Sequence, residues 1–135
     1  MADETPSMEI SAQDYHSCAI NSDKYVSCWG FSSSGAISVP EDIGKVSQVS
    51  LGGDSFFDHS CAVTESGAVR CWGSNDFHAC DTPADLTDVV QIAGGDVHTI
   101  ALRLQLLRLS LQHLHPRSVR VANAAQDLVE GQLIV

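Results

Sequence analysis

The chain has 135 residues, a hydrophobic fraction of 44% and a formal net charge of -10. That length suits one domain with a core of its own, and the apolar content excludes an intrinsically disordered chain. The acidity excludes direct binding to phosphate backbones and favours basic protein partners.

Charge and residue type divide unevenly along the chain. Residues 1–100 carry 15 acids and 3 bases, all five cysteines and all eight aromatic residues, whereas nine of the eleven leucines follow residue 100. The start, Met1-Ala2-Asp3-Glu4-Thr5-Pro6, is polar and acidic and reads as a disordered segment over 1–9, unlike a secretory leader. No run of about 18 apolar residues occurs, so no membrane helix and no membrane partner are expected. The cytoplasm is the default compartment.

From residue 10 the chain repeats itself. His16-Ser17-Cys18-Ala19-Ile20 returns as His59-Ser60-Cys61-Ala62-Val63, and Val26-Ser27-Cys28-Trp29-Gly30 as Val69-Arg70-Cys71-Trp72-Gly73. Both pairs are offset by 43 residues, as are Pro40 and Pro83. A third copy opens at Ile92-Ala93-Gly94-Gly95 and His98-Thr99-Ile100-Ala101-Leu102, then stops. A period in this range, rich in short strands and glycine turns, marks propeller blades. The expected class is all-β, a partial β-propeller of antiparallel blades. Its units are 10–48, 49–91 and a partial 92–102.

Within a unit, His59 to Val63 and Val69 to Trp72 read as consecutive strands, joined by a hairpin over Thr64-Glu65-Ser66-Gly67 in which Gly67 supplies positive φ. Val89 to Ala93 and His98 to Leu102 read as strands of the third unit. A hairpin centred on Ser66 sets Cys61 opposite Cys71, and the first unit sets Cys18 opposite Cys28 in the same way. Each pair is either a disulfide, which implies an oxidising, extracellular setting, or two reduced thiols in a core. Cys80 is left over in both cases.

These residues resemble the regulator of chromosome condensation repeat, of the kind shared with β-lactamase-inhibitor protein II. The match runs through Gly52-Gly53, His59-Ser60-Cys61-Ala62-Val63 and Gly67-Ala68-Val69-Arg70-Cys71-Trp72-Gly73-Ser74-Asn75. It covers about two and a third repeats, and departs from the pattern at Lys24, which stands where the turn glycine belongs. The resemblance implies four-stranded blades in a seven-bladed ring, a binding platform rather than an enzyme. A ring of that size needs about 300 residues at this period. The chain therefore reads as a fragment of a larger ring, or as a protein that completes one by homo-oligomerisation. The function implied is a non-catalytic protein-interaction module, with a remnant of a guanine-nucleotide exchange factor for a small GTPase as the alternative.

Residues 103–135 abandon the repeat. Alternating leucines from Leu102 to Leu111 suit a strand with a bulge or a short helix, Pro116 ends either, and Val119 to Val121 and Leu128 to Val135 suit further strands. The tail is either a cap over the open blade edge or a reading-frame artefact.

Candidate binding residues lie in the loops. Phe56 and Phe57, flanked by Asp54 and Asp58, occupy an insertion of the second unit, and Asp76, Phe77 and His78 follow its Cys-Trp-Gly. Phe56 and Phe57 are either an exposed anchor or packed beneath the next blade. The recurring Trp29 and Trp72 read as inter-blade packing, and the recurring histidines as bonded to a neighbouring blade's backbone. The three His-x-Cys pairs lack the converging ligands that zinc needs, so no metal and no cofactor are expected. Asp58-His59-Ser60 holds the residue types of a catalytic triad, but strand neighbours point to opposite faces and no catalytic site is assigned.

Overall fold

The computed structural model describes residues 8–103 and the backbone of 119–123. Nine strands are present among them. The first sheet holds β1 (Glu9–Gln13), β2 (His16–Ile20) and β3 (Val26–Gly30). The second holds β4 (Val46–Gly52), β5 (His59–Thr64) and β6 (Val69–Gly73), and the third β7 (Val89–Gly94), β8 (Thr99–Arg103) and β9 (Val119–Asn123). Each sheet runs in chain order, the first two as antiparallel meanders, and the three are the blades of a partial propeller. All β pairs are antiparallel except β8–β9, which is parallel. After Arg103 the turn glycine is missing and residues 104–118 intervene, the length of connection that a parallel return requires. The leucine alternation to Leu111 and the strand expected over Leu128 to Val135 lie outside the described residues.

The described blades have three strands where four were implied. The stretch after the third strand, Ser32-Ser33-Ser34-Gly35 through Pro40, is made of turn formers and builds no ladder. It folds back between blades instead. Ala36 and Ala79 are buried there, Val39 and Ile43 pack on the first core cluster, and Leu86 joins the second.

Strand alternation makes each blade two-faced. In the second blade Val49, Leu51, Ala62 and Trp72 point back to the first blade, where they meet Cys18, Ile20 and Val26. On its other face Cys61, Val63 and Val69 point forward to Ile92 and Ala101 of the third. The cysteine pairs lie on the forward faces. Cys18 opposes Cys28 and Cys61 opposes Cys71, with sulfurs 2.01 and 2.10 Å apart, which is disulfide distance.

The hairpin turns also dock one blade on the next. The Val46 amide donates to Lys24 O and the Val89 amide to Gly67 O, both at 2.9 Å. This geometry needs positive φ at the turn residue, 83° at Gly67 and 72° at Lys24. Lys24 therefore occupies a conformation that glycine adopts without cost, steadied by the Asn21 carboxamide oxygen accepting from the Asp23 and Tyr25 amides. Its ion pair with Glu65, at 3.9 Å between half-exposed groups, offsets little. Lys24→Gly is expected to stabilise the fold by about 1 kcal/mol. Gly67→Lys is expected to destabilise it by more, because a Cβ there meets the Asp88 backbone at 3.1 Å. Urea midpoints of the two variants check both signs.

Candidate functional site

All connections at one end of the sheets converge on a single loop face. It comprises the β1–β2 turn at Asp14 and Tyr15, Phe31 after β3, the 53–58 loop, the 74–81 loop and the β7–β8 turn. Local chemistry fixes the 53–58 loop. Gly53 turns at φ 91°, and Asp54 Oδ1 accepts from the Phe56 and Phe57 amides at 2.9 and 3.1 Å. Ser33 Oγ donates to Ser55 O at 2.8 Å, tying this loop to the first blade.

Phe56 is 71% exposed at the tip of that loop. Phe57 is half-buried and meets Phe77 edge-to-face, with ring centroids 4.9 Å apart. Phe77 and Asp76 are exposed, and His78 Nδ1 lies 2.8 Å from Asp81 Oδ2. Five of the six loop residues singled out from sequence thus share one surface. The sixth, Asp58, is buried beneath it. Two aromatic residues at this face were missed. Tyr15 and Phe31 are exposed and stack edge-to-face at 6.4 Å. Their signal was positional, since Tyr15 precedes the recurring His and Phe31 follows the recurring Trp-Gly. Exposed Asp14, Asp54, Asp76 and Asp96 lie in the same loops, which contain no Lys or Arg.

Below the loop face lies a buried polar seam. His16 Nε2 is 3.1 Å from Ser60 Oγ, and His59 Nε2 is 3.2 Å from Thr99 Oγ1. Each hydroxyl donates onward to a carbonyl, Ser60 to Ala36 O at 2.8 Å and Thr99 to Ala79 O at 3.2 Å. A hydroxyl has one proton, so the histidine must be the donor at Nε2 in both cases. The recurring histidine does reach the neighbouring blade, and its main partner there is a side-chain hydroxyl. Gly52 makes room for the ring, because a Cβ there would stand 2.5 Å from His59 Cε1.

Asp58, His16 and Ser60 bring together the residue types of a nucleophilic relay from two blades. The seam has the wrong order for one. Ser60 gives its proton to Ala36 O, His16 Nδ1 stands 3.9 Å from Asp58 Oδ2, and all three side chains are buried. Asp58 is engaged by Ser34, whose hydroxyl contacts both its carboxylate and its carbonyl. Trp72 closes the seam with Nε1 donating to Ala36 O at 2.7 Å. It is inter-blade packing as expected. Trp29 is not, since no described blade lies against its face and the ring is exposed. Cys80 is a free thiol of intermediate exposure. Burial, with Asp81 adding to it, pushes its thiol up to about 11, and Sγ donates to Ser74 O.

Comparison with known proteins matches this recurrence to a family. The model for the regulator of chromosome condensation (RCC1) repeat matches residues 9–36 and 46–79. These are regulator of chromosome condensation repeats. No curated protein sequence matches the chain. Among solved structures, human WBSCR16 superimposes with a TM-score of 0.58 at 17% identity, over 76% of this chain and 32% of that one. The ectodomain of the Physcomitrella patens receptor kinase CR4 gives 0.55 at 22% identity over 67% and 24%. Prp20p from Saccharomyces cerevisiae, a structure described with its binding to Gsp1p and histones, gives 0.55 at 19% over 70% and 28%. At these identities the likeness is one of fold. The chain spans about a quarter to a third of the length of these structures.

Desolvation lowers His16 and His59 below the ordinary imidazole value of 6.5, outweighing the Asp58 charge that pulls His16 the other way. The unfolded chain therefore binds more protons than the folded one just below that value. Stability is full above pH 6.5 and is lost as pH falls from there toward the lowered values. The melting temperature is expected to drop between about pH 7.5 and about pH 5.5, above the carboxylate range. The drop should shrink in His59→Gln, whose amide still donates to Thr99 without titrating.

Proposed function

We propose that these repeats form a non-catalytic protein-interaction module, and that its loop face binds a basic segment of a protein partner. One observation carries the reading. Exposed Phe56, Phe77, Tyr15 and Phe31 share a surface with four exposed aspartates and no Lys or Arg. Rigid aromatic anchors held by fixed loops bind at low entropic cost, and their rings attract Arg or Lys as well as apolar groups. These carboxylates steer a cationic partner and repel nucleic acid. The histone binding named for Prp20p fits the same chemistry and supports a basic peptide as the first probe.

The test is fluorescence anisotropy with an arginine- and lysine-rich histone-tail peptide, and with an acidic peptide of equal length. The histone peptide is expected to bind, more weakly as salt rises, while the acidic one does not. Phe56→Ala combined with Phe77→Ala is expected to weaken binding on the order of tenfold, the loss typical of interface anchors. Phe56 is fully outside the core, so Phe56→Ala alone controls for folding. Equal affinity for both peptides, or an unchanged affinity in the double variant, contradicts the reading.

A further inference from the structure

The two seams between the described blades are built alike, with one difference. His16 meets Ser60 across the first seam and His59 meets Thr99 across the second, each ring donating from Nε2. Two residues before each hydroxyl the chain places Asp58 at the first seam and Val97 at the second. Asp58 is buried, with Oδ2 3.9 Å from His16 Nδ1, and neither atom makes a hydrogen bond among the described residues. Val97 is apolar and 40% exposed. The first seam therefore sets a carboxylate beside its histidine, and the second does not.

The surroundings of the two rings bear this out. The titratable side chains acting on His59 are His16 from the blade before and His98 from the blade after. Its strand partners Gly52 and Gly73 are uncharged, and so are Thr99 and the Ala79 carbonyl behind it. His16 has uncharged strand partners too, Gln13 and Gly30, but faces the Asp58 charge. Both rings already carry a proton on Nε2, so a second must go on Nδ1. At His16 that proton arrives opposite a carboxylate. At His59 it makes a buried cation with backbone carbonyls but no acid beside it, which is costly. Burial lowers both histidines. The Asp58 charge opposes this at His16, whereas at His59 the Phe57 and His98 carbonyls oppose it and the His16 and His98 rings add to it.

We infer that the fold carries an acid-operated joint: as pH falls, the third blade parts from the second before the first does. His59 takes a proton from solvent on Nδ1, and the seam opens to hydrate the cation. The open form binds that proton at the ordinary imidazole value, so it gains on the closed form as pH falls below about 6.5. The first seam takes its proton into the His16–Asp58 pair and holds. The second seam also carries the bond from the Gly53 amide to Gly95 O at 3.1 Å, so its parting frees the base of the 53–58 loop. The joint is a property of the seam and does not rest on what the loop face binds.

The test is residue-resolved amide exchange between about pH 7.5 and about pH 5.5, a range above carboxylate titration. It is read as protection factors, in which the intrinsic pH dependence of exchange cancels. The Val49 amide donates to Glu9 Oε1 across the first seam and the Ile92 amide to Gln48 Oε1 across the second, so each reports its own seam. Ile92 protection is expected to fall toward about tenfold, the most that one histidine of ordinary value supplies over that range. Val49 protection is expected to fall by a smaller factor. In Asp58→Asn, which keeps an oxygen toward Ser34 and removes the charge, Val49 should respond to acid as strongly as Ile92. In His59→Gln the Ile92 response should disappear, and this arm stands should Asp58→Asn lose its fold. Equal falls at the two amides of the wild type overturn the inference. So does an Ile92 response that survives His59→Gln, or a Val49 response that Asp58→Asn leaves as it was.

Discussion

The contact on which the structure depends is the one between successive blades. A histidine on the forward face of one blade donates to a hydroxyl on the backward face of the next, and that hydroxyl donates to a carbonyl of the connecting segment. Around this polar chain a glycine clears space for the ring and the two faces bury aliphatic side chains against each other. Each face buries its apolar side chains only against the other. An isolated three-stranded blade has two apolar faces and a buried-type histidine, and it must lend each to a neighbour. Sequence period, two-faced strands and disulfide-distance cysteines all serve that pairing.

The proposed binding surface sits apart from this contact, at the ends of the strands. The loops there are free to vary because the inter-blade seam holds the scaffold below them. Asp58 and Ser34 belong to the seam and Phe56 and Phe77 to the surface, although Phe56 and Asp58 are two residues apart. The Asp, His and Ser of the seam lie on the scaffold side of that separation. They are buried, and the serine proton is committed to a carbonyl.

Much of the fold was legible because its signals are local or periodic. The 43-residue echo gives the blades, the Gly67 hairpin sets the cysteine register, and strand alternation gives the two faces. Lys24 was legible as an anomaly, and the structure shows it taking the glycine conformation. What stayed hidden is set by distant partners. Nothing local separates Trp72 from Trp29, since the two share a Cys-Trp-Gly context, and only the presence of a blade in front of Trp72 buries it. The crossing of residues 31–45 between blades, in place of a fourth strand, rests on long-range contacts of Ala36 and Ile43. Tyr15 and Phe31 joined the candidate site only once the β1–β2 turn was placed beside the end of β3.

The central claim is that one inter-blade contact recurs along the chain. Residue-resolved amide hydrogen exchange tests it most directly at three equivalent positions, Ile10, Val49 and Ile92. Val49 and Ile92, held by Glu9 and Gln48 of the preceding blade, should be protected at every protein concentration. Ile10, 80% exposed on the first strand, should exchange faster than both. Fast exchange at Val49 and Ile92, or an Ile10 amide equally slow, would contradict the account.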